Sequence, residues 1–535
     1  MTHPAMTVLV HELILEAAHR RPEAEALAHD GRRLSYEALS MQVQRFAGAL
    51  LAAGLEKGER AAVYLDKRME AVAALFGTAA AGGVFVPVNP LLKPEQVAYI
   101  LRDCNVRVLF TSAERLQALQ ALLPRCPELH TIVVAGPMRE EEAPLGVRVL
   151  QWEDFIGSHG SLRGHRVIDR DMAAILYTSG STGHPKGVIL SHGNLVAGAQ
   201  SVAQYLGNTA EDRILSVLPL SFDYGLSQLT TAFHSGACAV LFNYLLPSDL
   251  VRTVENERIT GLAGVPSLWI QLAQQRWPQE TSLRYLTNSG GALPRPSLAA
   301  LRHVLPQTKV FLMYGLTEAF RSTYLPPQEL ERRPGSIGRA IPNAEVLVLR
   351  EDGTPCEPGE PGELVHRGAL VAQGYWNAPD KTAERFRPLP ARNAGLPLTE
   401  IAVWSGDIVY ADEEGFLYFI GRHDDMIKVS GYRVSPTEIE EVIHATGLVS
   451  EVAAFGIPHP ALGQAVVVVA VAKPNTELSS SALVEACRER LPLYMVPAHV
   501  AVRSDPLPRN PNGKPDRTLL RAEFDTLFTG EERNR

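Results

Sequence analysis

The sequence predicts an α/β protein: a large N-terminal domain of parallel sheets covered by helices and ending in a small β unit, then a small α+β C-terminal domain. Three observations carry this. At 535 residues the chain is too long for a single core. Helical patterns alternate with short apolar strands up to about residue 330, as in parallel sheets packed between helices. From Gly338 to about Phe419 the texture changes to short strands between Gly/Pro turns, and after Gly421 a charged turn leads into a compact α/β tail. The expected division is 1–420, with subdomains of about 1–170, 171–337 and 338–420, followed by 421–535.

In chain order, helices are expected over Tyr36 to Ala53 and Met69 to Ala81, with strands at Ala61–Tyr64, Val84–Val86 and Val106–Phe110. The uncharged run Ala71 to Leu92 is long enough to suggest a membrane span. Gly82-Gly83, Pro87, Asn89 and Pro90 interrupt it, so it reads as a helix, a turn and a strand. Further strands are expected near Ile214–Val217, Ala239–Phe242 and Tyr285–Thr287, and in the β unit at Ala344–Leu349, Gly362–His366 and Phe416–Phe419. No internal repeat or low-complexity segment is evident.

Composition narrows the function classes. A 46% hydrophobic and 21% charged chain is that of an ordinary globular protein. Its net charge of −8 argues against a general nucleic-acid binder and against attraction to anionic membranes. Cys104, Cys126, Cys238, Cys356 and Cys487 are scattered and odd in number, without a Cys-x-x-Cys pair, and read as free thiols in a reducing compartment. Val8 to Leu15, interrupted by His11 and Glu12, does not match a secretory leader. A cytoplasmic protein with no membrane insertion is expected.

The most informative stretch runs from Tyr177 to Val188, Tyr-Thr-Ser-Gly-Ser-Thr-Gly-His-Pro-Lys-Gly-Val, between the apolar run Met172–Tyr177 and a helical pattern beginning near Asn194. It reads as a loop. Gly180, Gly183 and Gly187 allow close backbone approach, Thr178, Ser179, Ser181 and Thr182 supply hydroxyls, and Lys186 supplies a cation. Such a loop can wrap polyphosphate oxygens. It is not the nucleotide-hydrolase P-loop, because Pro185 precedes the lysine and Gly187 follows it.

This stretch resembles the phosphate-binding signature of the adenylate-forming superfamily, which contains acyl-CoA synthetases, luciferases and amino-acid adenylation domains. The resemblance continues along the chain. Tyr314-Gly315-Leu316-Thr317-Glu318 is similar to the second signature, implying an aromatic on adenine, a threonine at the α-phosphate and Glu318 as the Mg2+ ligand. Met313 departs from the small or amide residue many relatives carry there. Asn288-Ser-Gly-Gly-Ala292 looks like the turn under adenine, assigning Gly290, Gly291 and Ala292 to the nucleotide. Trp404-Ser-Gly-Asp407 implies that Asp407 accepts from the ribose hydroxyls; a surface turn is the plain alternative. The run Gly421 to Arg433 matches the family's domain junction, with Arg422 reaching the nucleotide, Asp424 as hinge and Ser430-Gly431 at the thiol tunnel; Ser435-Pro-Thr-Glu438 then opens a helix. Lys514, in a turn-rich tip near the end, corresponds to the adenylation lysine.

These parts imply ATP, Mg2+ and either CoA or the phosphopantetheine of a carrier protein as reactants. No carrier domain is read after Lys514, so the thiol is expected from a separate molecule. In the acid pocket, Phe222-Asp223 resembles amino-acid adenylation domains, whose aspartate pairs with an α-ammonium; an exposed Asp223 in a turn is the alternative. By the same resemblance Tyr224, Ser227, Gly264, Thr287, Ser289, Met313, Arg321 and Ser322 line the pocket, small and polar, with Arg321 able to pair with a second acidic group. The layout is similar to stand-alone adenylation proteins and to exosortase-associated acyl ligases. The expected reaction is AMP-forming activation of a small polar amino acid and transfer to a pantetheine thiol. A short- or medium-chain acyl-CoA synthetase, a nucleotide-binding regulator without turnover and a luciferase-like oxygenase are the alternatives.

Overall fold

The computed structural model describes residues 7–137, 146–157, 164–178, 185–389, 399–422, 425–429, 432–459, 462–491, 493–510 and 513–528. Within these, the strands form three sheets. The first has the order Arg148–Gln151, Thr131–Val134, Val106–Thr111, Arg60–Tyr64, Val84–Pro87, Met172–Thr178 and Lys186–Ser191. All neighbours are parallel except the last two, which form an antiparallel hairpin. The helix Met69–Ala81 packs its alanine-rich body into this core and stops at Gly82, whose φ of 86° ends the helix so that Val84–Pro87 can begin. The apolar run that suggested a span is therefore helix, turn and strand, and among the described residues no helix is long and apolar enough to cross a membrane.

The second sheet is mixed. Its parallel half runs Glu25–His29, Cys238–Leu241, Arg213–Ser216, Gly261–Gly264, Tyr285–Asn288 and Lys309–Leu316. Beyond this it continues antiparallel through Phe320–Leu325, Ser336–Ala340, Leu417–Arg422, Ile401–Ala411, Gly362–Gly368 and Ala344–Leu349. The change of direction occurs at Thr317–Ala319 and Phe320, a non-glycine residue at φ 56° that folds the chain back on itself. Gly315 permits that return, since a Cβ there would lie 2.4 Å from the Phe320 carbonyl oxygen. Ligand sites in such sheets form outside the carboxyl ends of the parallel strands, which here are Gly264, Asn288 and Leu316.

The third sheet has the order Tyr432–Val434, Ile427–Val429, Gly463–Ala472 and Val449–His459, with His499–Arg503 added parallel to Gly463–Ala472. Both faces are covered. Val466, Val468 and Ala470 pack on Ile439, Ile443 and Leu483, while Val467 and Val469 pack on Leu507 and Leu520. The period-two alternation of Gly463–Ala472 thus serves two cores, so it reads as a continuous apolar run. Ser435 caps the helix Pro436–His444 by accepting from the Glu438 N–H, as its spacing predicts.

Candidate active site

The first group of site residues gathers where the β unit and the C-terminal segment meet. Asp407 lies buried within the strand Ile401–Ala411, not in a surface turn; Gly406, at φ 70°, falls in the register shift where Trp404 and Ile408 oppose Val365 and Glu363. The Tyr314 hydroxyl donates to Asp407 Oδ2, and Arg422 Nε lies 3.4 Å from Oδ1, which has no hydrogen-bond partner. Burial raises the Asp407 pKa, opposed first by the Arg422 charge, and burial beside Asp407 pushes the Tyr314 phenol well above its ordinary value.

Lys514 joins the same cluster. Its turn is closed by Asn510, whose Oδ1 accepts from the Lys514 N–H at 3.1 Å, and by the Arg509–Pro515 bridge. Lys514 is exposed at the surface, with protein atoms crowded around its ammonium end. That enclosure lowers its pKa, as does Arg422, while Asp407 and Asp223 oppose the shift. The turn-rich tip predicted from sequence is present, and its lysine is electrostatically coupled to Arg422, Asp407 and Asp223.

The second group surrounds Lys186. Tyr177 and Lys186–Val188, read as loop from the sequence, are strand residues: Thr178 pairs with Lys186 and Tyr177 with Gly187. The alternation of Lys186-Gly-Val-Ile-Leu-Ser191 fits the pleat, so the loop between the strands is shorter than the glycine spacing suggested. Ser179, Gly180, Ser181, Thr182 and Gly183 lie outside the described residues, as do Asp424, Ser430 and Gly431. Lys186 Nζ stands 5.5 Å from the centre of the Tyr375 ring, and the Tyr375 hydroxyl donates to Glu318 Oε1 at 2.5 Å. Burial and the Lys381 and Arg385 charges lower the Lys186 pKa. Cation, ring and carboxylate are thereby brought together from three distant segments.

This geometry suits a nucleotide with Mg2+. Among the described residues no group of three or more His, Cys, Asp or Glu side chains could hold a metal by itself. A single Glu318 with one oxygen already hydrogen-bonded matches Mg2+, which takes one or two carboxylates and completes its shell with phosphate and water. The unpartnered Oδ1 of Asp407 is an acceptor-only atom suited to sugar hydroxyls. Gly290, Gly291 and Ala292 follow the strand Tyr285–Asn288 as an exposed turn, which Asn288 Nδ2 holds by donating to the Gly291 carbonyl at 3.0 Å.

The third group is the set of residues expected to line the acid pocket. Asp223 opens the helix Asp223–Ser235, where the helix end favours an anion, and is half-buried; the exposed-turn alternative does not hold. Thr317 Oγ1 lies 3.5 Å from its Oδ1. Burial raises its pKa, and the Arg321 charge opposes this most. Arg321 supplies a counter-charge to Asp223 without forming an ion pair with it, and a cationic ligand remains compatible with the carboxylate. The Tyr224 hydroxyl donates to the Thr287 carbonyl at 2.8 Å, and Tyr205 donates to Met313 Sδ at 2.9 Å. Trp269 presses on Gly264, where a Cβ would meet the indole at 2.6 Å. Ser227 and Ser322 are buried with local partners, Thr231 and the Ala319 carbonyl, so their hydroxyls are occupied within the fold. Ser289 is buried at the end of its strand, and Phe222 precedes the helix as its N-cap.

Sequence reasoning missed four neighbours. Tyr375 links Glu318 to Lys186; Arg385 donates to the Trp404 carbonyl at 2.9 Å; Tyr205 holds Met313; and His366 stacks on Tyr314 with ring centroids 6.1 Å apart. The one available signal was the Gly374-Tyr-Trp-Asn377 run, a turn carrying two aromatics.

A two-sheet α/β body followed by a smaller C-terminal sheet covered by helices is the fold of adenylate-forming enzymes. The chain belongs to the AMP-binding enzyme family: the "AMP-binding enzyme" model matches residues 14–376, and the "AMP-binding enzyme C-terminal domain" model matches residues 438–514. A linear gramicidin synthase of Brevibacillus parabrevis is 31% identical over 96% of the chain, which spans only 10% of that synthase polypeptide. The long-chain-fatty-acid–CoA ligase of Salmonella typhimurium is 29% identical, with 96% of this chain and 94% of the ligase covered. Among solved structures, ATP-bound MatB of Rhodopseudomonas palustris superposes with a TM-score of 0.85 at 25% identity, covering 98% of this chain and 100% of that one. The anthranilate CoA ligase AuaEII with anthranoyl-AMP gives 0.86 at 26%, covering 98% and 99%. Several of these names describe acid–thiol ligases, the enzyme class expected from the sequence.

Proposed function

We propose that the protein is an ATP-dependent, AMP-forming ligase that activates a small carboxylic acid, foremost an amino acid, and passes it to a pantetheine thiol of CoA or a carrier protein. The reading is supported by the Tyr314–Asp407–Arg422 cluster and the Tyr375–Glu318 pair beside Lys186, with Lys514 electrostatically coupled to Arg422, Asp407 and Asp223. In the first step a substrate carboxylate oxygen attacks the α-phosphorus of ATP, the bond to the β-phosphate oxygen breaks, and pyrophosphate leaves. The Lys514 ammonium offsets the crowding of negative charge, and Asp407 with Arg422 fixes the ribose. Mg2+ bound at Glu318 would neutralise phosphate charge. In the second step the thiol sulfur attacks the acyl carbonyl and AMP leaves.

We propose further that residues 421–535 turn as a body about Asp424 between the steps, withdrawing Lys514 and bringing Ser430-Gly431 to the cleft. A second reading, a CoA ligase for a short or medium acid, is favoured by the near full-length match to CoA ligases and by the Arg321 charge that faces Asp223. Pyrophosphate exchange across amino acids and alkanoates, followed by mass analysis of the thioester, separates the two. Exchange with an amino acid is expected; exchange with alkanoates only selects the second reading, and exchange with none rejects both.

A further inference from the structure

Arg321 is a buried charge that the described contacts leave partly unpaired. It belongs to the strand Phe320–Leu325, directly after the backbone reversal at Phe320, and is only 2% exposed. Its guanidinium carbon lies 4.7 Å from the centre of the Tyr224 ring and 5.0 Å from that of Phe320. These rings hold the plane by cation–π contact, which leaves the N–H edge free. Nε and Nη2, both buried, have no hydrogen-bond partner. They form one edge of the guanidinium, the fork that meets a carboxylate through two parallel N–H···O bonds. Asp223 opposes Arg321 electrostatically but makes no ion pair with it, and the Tyr205 hydroxyl, which donates to Met313, is a neutral neighbour of the guanidinium that cannot balance its charge.

A buried guanidinium with one whole edge unsatisfied is costly unless something fills it. We infer that this edge holds a second carboxylate of the substrate, so that the acid activated is a dicarboxylic acid or an acidic amino acid. The inference rests on the ligase reading for the site's role. One carboxylate of the substrate reacts at the nucleotide end while the other seats on Arg321. An α-amine, where present, faces Asp223, and the pocket then balances in charge: Asp223 against ammonium and Arg321 against carboxylate. A neutral side chain of the same size would leave both N–H groups unsatisfied.

The test uses the full-length protein and two readouts. Pyrophosphate exchange is measured with succinate, glutarate, aspartate and glutamate against butyrate, asparagine and glutamine, and calorimetry measures binding of the same acids. Diacids and acidic amino acids should be preferred over their amide isosteres by roughly 100- to 1,000-fold, the range expected when a buried charge loses its partner. Arg321→Met should abolish that preference by raising the KM for the diacid with a much smaller change in the KM for ATP. Arg321→Lys, which keeps charge but not the fork, should restore it only in part. Equal or better use of amides and monoacids by the wild type overturns the inference, and so does an Arg321→Met protein that still discriminates. If the variant does not fold, the wild-type panel decides alone. If no acid supports exchange yet a diacid binds in preference to its amide, the ligase reading falls and this inference stands; absence of such binding as well as exchange removes it.

Discussion

The two ends of the cleft treat charge in opposite ways. At the proposed nucleotide end Asp407 receives the Tyr314 hydroxyl, Arg422 sits against it, and Tyr375 ties Glu318 to the neighbourhood of Lys186. At the acid end Asp223 and Arg321 face each other without contact, and the guanidinium keeps two buried donors open. A region whose polar groups largely bind one another, with Asp407 Oδ1 left open for the ligand, is preorganised for one invariant ligand and is not adapted to many. A region that leaves such groups open defers their satisfaction to the ligand, which is where discrimination between substrates arises.

The largest effect expected from breaking this division is at Lys514. Lys514→Ala should slow adenylation by roughly 100- to 1,000-fold, the usual range for losing one electrostatic stabiliser, while thioester formation from supplied acyl-adenylate changes little. Its lowered pKa adds a sign: the ammonium is lost as pH rises, so the alkaline fall in adenylation should begin below the pH of an ordinary lysine. Lys514→Arg should move that limb upward. Equal slowing of both half-reactions, measured by single-turnover kinetics, would break the assignment of Lys514 to the nucleotide end.

Next comes Asp407. Asp407→Asn replaces an acceptor-only carboxylate beside Arg422 and should raise the KM for ATP by roughly 10- to 100-fold, from about 1.5–3 kcal/mol for a charged hydrogen bond. Tyr314→Phe removes only the donor and should cost less. Neither should alter the ranking of acids in pyrophosphate exchange. A changed ranking would show that the two ends are coupled and that the contrast between them is wrong.

How far these contrasts can be read from sequence differs by element. The helix Met69–Ala81 and the strand Ala344–Leu349 have the bounds their periodicity predicts, because propensity and punctuation act locally. The pairing of Glu25–His29 with Cys238–Leu241, in register Leu27 to Ala239, has no local trace, since it depends on how distant strands assemble. The motif residues Asp407, Lys514 and Glu318 were legible through their neighbours. Tyr375, Arg385 and His366 were not, for their roles come from who faces whom across elements. Arg321 was legible as a charge in the pocket, but its stacked and unpaired state follows only from packing against Tyr224 and Phe320.

The smallest effect concerns the exception at the nucleotide end. His366 stacks on Tyr314, is 2% exposed, and neither ring nitrogen has a partner. Burial alone pushes its pKa down to about 3, from 6.5. His192 is pushed down to about 4, by burial and then by His11. A base whose folded pKa is depressed is protonated first in the unfolded chain, so its stabilising contribution is full above pH 6.5 and is lost as pH falls toward the folded value. Each such histidine can contribute a slope of at most about 1.4 kcal/mol per pH unit within that window. The carboxyls raised by burial, Asp407 and Asp223, act with the opposite sign over their own range, so the raw pH profile mixes the two. The difference between wild type and His366→Phe isolates one group. Chemical denaturation at pH 7.0 and at pH 5.0 should show the variant losing less stability than the wild type on acidification, with the His192 share retained. Equal losses would mean that His366 is protonated as easily in the fold as outside it. The ring against Tyr314 would then be reachable by water, and the nucleotide end would share the openness assigned to the acid end.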